Sequence, residues 1–110
     1  MKTIFISGAS RGLGSSIAKT FASNNYNVII NYNKSQKKAN DLKEELENNY
    51  SIKCFLYKCD VFNEEEVKNM FANIKNDIGN IDVVVNNAGI SIDNSIEEKS
   101  ACEFMKVLNV

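Results

Sequence analysis

Ser7-Gly8-Ala9-Ser10-Arg11-Gly12-Leu13-Gly14 is the stretch that decides how the rest of the chain is read. An apolar run, Ile4-Phe5-Ile6, leads into it, and Leu13, Ile17 and Phe21 follow at helical spacing. Glycines between a strand and a helix let the backbone turn sharply and come close to an anion. The free N–H groups and dipole of the helix start favour the same negative charge. The spacing, Gly8-x-x-x-Gly12-x-Gly14, departs from the dinucleotide fingerprint G-x-G-x-x-G, because Ile17 stands where the third small residue belongs. No Gly-Lys-Ser/Thr closes the loop, so it is not a P-loop.

Outward from this loop, strands and helices alternate. Lys2–Ser7 reads as a buried strand, and the helix after the loop runs to about Ser23, where Asn24-Asn25-Tyr26-Asn27 breaks it. Val28-Ile29-Ile30 is too short for a helix and gives a second strand ending near Tyr32. Ser35 to Asn49 is a helix, with Ala39, Leu42 and Leu46 on one face and the pair Lys43–Glu47 four residues apart. Ser51–Lys58 alternates, Ile52, Cys54 and Leu56 against Phe55 and Tyr57, as a third strand. Asn63-Glu64-Glu65-Glu66 approaches a capping box, with the acids offsetting the helix dipole rather than doing chemistry. Val67, Met70, Phe71, Ile74 and Ile78 form the stripe behind it, and Gly79 stops the helix. Ile81–Val85 is a fourth strand, followed by Asn86-Asn87-Ala88-Gly89. A polar loop then reaches a second capping box, Ser100-Ala101-Cys102-Glu103, with Phe104, Val107 and Leu108 opening a last stripe.

Four β-α units with right-handed crossovers make a doubly wound parallel sheet, α/β in class, with helices on both faces. Strands apolar at nearly every position suit burial on both sides. Val110 stands mid-stripe, and nothing after the fourth strand offers a partner for its other edge. The expectation is one incomplete domain, residues 1–110, the N-terminal half of a Rossmann-type sheet truncated before the rest.

Composition narrows the function classes. The 110 residues suit one domain, and a net charge of −1 gives no general affinity for nucleic acid or an anionic membrane. The charge is unevenly placed, however. Residues 1–40 hold Lys2, Arg11, Lys19, Lys34, Lys37 and Lys38 and no acid, so all 14 Asp and Glu fall in the rest. The third of the chain that carries the glycine loop is therefore basic, as a polyphosphate site would favour. Cys54, Cys59 and Cys102 lack zinc spacing and there is no His, so reduced thiols in a cytoplasmic protein, and no metal, are expected. No run approaches membrane-spanning length.

The ends of the strands carry the chemistry. A carboxylate near the end of the second strand would hold the ribose hydroxyls of NAD. Here that place reads Asn31-Tyr32-Asn33-Lys34-Ser35, with no acid. A carboxylate would repel a 2′-phosphate, whereas Asn33, Lys34, Ser35 and Arg11 are able to bind one. NADP(H) is therefore expected over NAD(H), against the plainer alternative of hydrophilic turn residues. Asp60 ends the third strand and suits either an adenine amino group or a turn cap. Small residues in Asn86-Asn87-Ala88-Gly89 would let the chain run close along a cofactor.

Taken together, these motifs resemble the short-chain dehydrogenase/reductase family. The likeness rests on the glycine loop, close to that family's T-G-x-x-x-G-x-G, on Asp60-Val61, on Asn86-Asn87-Ala88-Gly89, and on the stretch Phe104-Met105-Lys106-Val107-Leu108-Asn109-Val110. It covers essentially the whole chain. The resemblance implies that Gly8, Ser10, Arg11, Gly12, Leu13 and Gly14 wrap the pyrophosphate and adenosine ribose, with Asn33 beside the 2′-phosphate. It implies that Asp60 and Val61 flank the adenine and that Asn87, Ala88 and Gly89 line the ribose nearer the nicotinamide. Ser7 replaces the usual Thr, and Phe104 a common Trp. Within the family, the Arg-Gly-Leu-Gly loop and Asn-Tyr-Asn strand end look most like the bacterial 3-oxoacyl-[acyl-carrier-protein] reductases. That likeness implies a small-molecule or carrier-bound carbonyl substrate and a homotetramer.

The family's acid/base Tyr is followed four residues later by Lys. Tyr26, Tyr32, Tyr50 and Tyr57 are followed there by Ile30, Gln36, Cys54 and Val61. The catalytic Ser, Tyr and Lys, and the proton-relay Asn due immediately after Val110, are therefore expected downstream. Three other readings stay open: another alcohol or sugar dehydrogenase of the family, a nucleotide-binding module without turnover, and an inactive fragment.

Overall fold

The computed structural model describes residues 1–8 and 12–86. Ala9, Ser10 and Arg11, the segment Asn87-Ala88-Gly89, the second capping box and the final apolar stripe lie outside the described residues. The order is β1 (Thr3–Ser7), α1 (Gly12–Ser23), β2 (Asn27–Tyr32), α2 (Gln36–Asn49), β3 (Cys54–Lys58), α3 (Glu64–Asp77) and β4 (Val83–Asn86). All strand pairs are parallel, in the order β3-β2-β1-β4.

β1 and β2 occupy the middle of the sheet, so both their faces are covered. Ile4, Ile6, Val28 and Ile30 point to one side and pack with Ala18 and Ala22 of α1 and Leu42 and Leu46 of α2. Phe5 and Ile29 point to the other and pack with Val67, Met70, Phe71 and Ile74 of α3. Phe5 and Phe71 meet with ring centroids 4.9 Å apart. This two-sided burial is why the central strands lack a polar face, and it bears out the doubly wound reading.

Five local expectations need correction, the first in β4, which runs Val83–Asn86 rather than starting at Ile81. β3 begins at Cys54 rather than Ser51, although Ile52, in the bend before it, is still buried. The face of α1 that is buried carries Gly14, Ala18 and Ala22. Leu13, the first residue of the anticipated apolar stripe, is 60% exposed, and Ile17 and Phe21 are only partly covered. Small residues let the helix lie close to the sheet; the larger ones flank the contact. Glu47 bonds to the backbone N–H of Cys54 at 3.0 Å rather than supporting Lys43. The box before α3 is half formed: Asn63 Oδ1 accepts from Glu66 N at 3.1 Å, while the Glu66 carboxylate turns to Asp60 N instead of Asn63 N.

Candidate functional site

The register sets the carboxyl ends of the strands level. Ser7 aligns with Asn31 on one side and Asn86 on the other, and Asn31 aligns with Tyr57. After β1 the chain crosses to β2 on one side, and after β3 it crosses back to β4 on the other. The gap between β1 and β4 at this edge is the topological switch point, where ligands of open parallel sheets bind.

The glycine turn leaves from that point. Gly8 and Gly12 both have left-handed φ, 65° and 64°, a conformation that L side chains adopt only at a cost. Gly8 N–H donates to Asn31 O at 3.1 Å, which ties the start of the turn to β2. No acid lies in the first turn of α1, so nothing there opposes an anion at the helix start. Leu13 is exposed at the same place.

Ser7 is fully buried, its Oγ 3.0 Å from Asn86 Oδ1 and 3.5 Å from Val85 O. Past β2, Asn33 and Lys34 are exposed in a bend free of carboxylates. Past β3, Asp60 Oδ1 accepts from Phe62 N at 3.0 Å, closing a tight turn. Val61 is half-buried against the α3 side of the core. Gly8, Gly12, Leu13, Gly14, Asn33, Asp60 and Val61 are thus all placed along one edge. Ser10, Arg11, Asn87, Ala88 and Gly89 lie outside the described residues.

Sequence reading passed over Asn31 and Glu66. Asn31, 2% exposed, reaches Cys59 O at 3.1 Å and Tyr57 O at 3.3 Å through Nδ2. Its signal was an amide closing an apolar run, Val28-Ile29-Ile30. Cys59 is buried beside it, and burial first, then Glu66 and Asp60, push its thiol up to about 11. Cys54 is pushed up to about 12, by burial above all. Both thiols are free and protonated at neutral pH, which makes them packing groups and not nucleophiles. Among the described residues no cluster has metal-binding composition and no helix is long and apolar enough to cross a membrane.

A model of the short chain dehydrogenase family matches residues 2–110. The chain belongs to that family. It is 37% identical over 108 residues to the 3-oxoacyl-[acyl-carrier-protein] reductase FabG of Staphylococcus epidermidis, spanning 98% of this chain and 44% of the reductase. The chain therefore covers less than half the length of such relatives. A solved short-chain dehydrogenase of Oenococcus oeni superposes with a TM-score of 0.79 at 31% identity, across 97% of this chain and 52% of that one. The alcohol dehydrogenase of Thermococcus sibiricus, solved in complex with 5-hydroxy-NADP, shares the fold with a TM-score of 0.82 at 24% identity, across 98% and 52%. Membership places the chain in a family of oxidoreductases.

Proposed function

We propose that the full-length protein reduces a carbonyl to an alcohol by hydride transfer from NADPH, and that its substrate is a 3-oxoacyl group carried by acyl carrier protein. The observation that carries this reading is the combination at one sheet edge of two glycines with left-handed φ, Gly8 and Gly12, and a second strand ending without a carboxylate. The residues fit a dinucleotide phosphate. Gly8 and Gly12 permit close backbone approach, the first turn of α1 carries no competing acid, and Asn33 and Lys34 stand exposed where a 2′-phosphate would lie. In this reading Gly8, Ser10, Arg11, Gly12, Leu13 and Gly14 surround the pyrophosphate and adenosine ribose. Asn33 meets the 2′-phosphate, Asp60 and Val61 the adenine, and Asn87, Ala88 and Gly89 the second ribose. When bound, the nicotinamide would supply the hydride; the chain's own residues bind and orient. The 3-oxoacyl substrate is supported by the likeness to the Staphylococcus epidermidis reductase. In this reading the full-length protein is a cytoplasmic homotetramer.

Two measurements test it. In the gene, the codon after that for Val110 should specify Asn, with a Ser and Tyr-x-x-x-Lys downstream; an immediate stop codon would remove the catalytic half of the proposal. The full-length protein should consume NADPH with a 3-oxoacyl thioester. Turnover with a sugar or simple ketone alone would make it a different dehydrogenase of the family, and binding without any turnover a nucleotide-binding module.

A further inference from the structure

The peptide group joining Cys59 to Asp60 is held from both sides. Its carbonyl, Cys59 O, accepts from Asn31 Nδ2 at 3.1 Å, and its N–H, that of Asp60, donates to Glu66 Oε1 at 3.2 Å. The two holders come from different elements, β2 and α3. Because a peptide is planar, fixing both of its polar atoms sets the position of the next Cα and the direction of the bond leading to it, leaving only the rotation about that bond to be set by the residue's own contacts. That side chain is Asp60, whose carbonyl in turn accepts from Asn63 N at 3.0 Å and whose Oδ1 accepts from Phe62 N at 3.0 Å. Among the described residues, the other carboxylate oxygen, Oδ2, accepts no hydrogen bond.

Neither holder is needed to complete the sheet or the helix. Cys59 N–H already continues the β2–β3 ladder to Tyr32 O at 2.9 Å. An apolar side chain at position 31 would pack beside Met70, whose sulfur lies 3.8 Å from Nδ2, without the desolvation cost of an amide. Glu66 would ordinarily reach back to the N-cap N–H of its own helix, yet it spans to Asp60. Both converge on the peptide of Asp60, which with Val61 meets the adenine in the proposed function, although Asn31 Nδ2 also reaches Tyr57 O at 3.3 Å; the inference rests on that reading. We propose that Asn31 and Glu66 are positioning residues that clamp the Cys59–Asp60 peptide and aim Asp60 Oδ2 at the exocyclic amino group of adenine, so that the protein rejects a 6-oxo purine dinucleotide. A carboxylate accepts a hydrogen bond from an amino group and repels a carbonyl in its place, provided it cannot swing away.

The test compares NADPH with its hypoxanthine analogue, which carries that carbonyl, on the full-length protein and on Glu66→Ala, Glu66→Gln and Asn31→Ala. The intact protein should bind NADPH about tenfold or more tightly over the analogue, as expected when a site built for a polar group meets a substrate lacking it. Glu66→Ala and Asn31→Ala should shrink that ratio by about threefold or more while the preference for NADPH over NADH, read at the ribose phosphate, stays unchanged. Glu66→Gln, whose amide oxygen still accepts from Asp60 N–H, should restore it. Glu66 is exposed, so its replacement leaves the core intact even if Asn31→Ala does not fold. A purely structural role would lower thermal stability and weaken both dinucleotides in parallel; an unchanged ratio in Glu66→Ala overturns the clamp. Binding of NADPH without discrimination by the intact protein would remove Asp60 from the adenine and the clamp with it. Failure to bind either dinucleotide would overturn the cofactor site itself.

Discussion

At Ser7 a single buried hydroxyl joins the two strands that face the switch point, through Asn86 Oδ1 at 3.0 Å. A Thr at this position would offer the same oxygen with an extra methyl, so the departure from the family's usual Thr keeps the link between β1 and β4. Asn33 makes the sharper test of chemistry at the residue scale. It is exposed one position past β2, with Lys34 beside it. Replacing it by Asp puts a negative charge where a 2′-phosphate would lie and offers a carboxylate to ribose hydroxyls. Asn33→Asp in the full-length protein should weaken NADPH by about tenfold, about 1.4 kcal/mol, and leave NADH equal or tighter. Titration of both cofactors checks it, and an unchanged preference would remove Asn33 from the site. The place of Asn33 just past β2 was legible because a turn residue after a strand is defined by local spacing. Asn31, two residues earlier, was not: its role depends on Cys59 and Tyr57, brought level with it only by the sheet register.

Among the elements, α1 shows how a terminus is made. Asn25 N donates to Ala22 O and Tyr26 N to Phe21 O, both at 3.1 Å, with Asn25 at a left-handed φ of 66°. The rings of Phe21 and Tyr26 close the motif edge to face, their centroids 4.9 Å apart. This is the Schellman arrangement, with Asn where Gly is commonest. Asn25→Gly should leave stability unchanged or raise it, while Asn25→Val should cost about 1–2 kcal/mol from the left-handed backbone alone. Urea titrations of the two variants decide between a required backbone shape and a passive break. At the head of α3, Asn63→Ala should cost about 1 kcal/mol by releasing Glu66 N–H. The Asn-rich break after α1 and the cap of α3 could be read in advance because caps are local. The buried stripe of α1 could not. Leu13, Ile17 and Phe21 satisfy helical periodicity, yet close packing on the sheet selects the small residues Gly14, Ala18 and Ala22, and the larger side chains go to the flanks. Periodicity locates a helix; it does not say which of two adjoining stripes the sheet will accept.

Across the whole molecule the doubly wound parallel sheet was legible from the alternation of strands and helices and the handedness of crossovers, whereas the order β3-β2-β1-β4 is one of several that obey both rules and is set by tertiary packing. The consequence for stability is unequal burial. β1 and β2 are enclosed, whereas β3 lies at an edge and carries its ionisable groups into partly covered positions. Burial raises Cys54 and Tyr57 to about 12, with the hydrogen bond and charge of Asp77 adding to the phenol's shift, and raises Cys59 to about 11. In the unfolded chain these groups ionise from ordinary values of 9.0 for the thiols and 10.0 for the phenol. Above pH 9, then, the unfolded chain sheds protons that the folded chain keeps, and alkali favours unfolding. The stabilisation is complete below pH 9 and is lost as pH climbs toward 11 and 12. Cys54 is the most deeply buried of the three and should contribute most, up to about 1.4 kcal/mol for each pH unit inside its window. Urea midpoints taken between about pH 7 and pH 10 should be level at first and then fall. Cys54→Ala should lower the plateau through its small cavity but flatten the alkaline decline. A decline of the same steepness in that variant would assign the alkaline loss to groups elsewhere in the molecule.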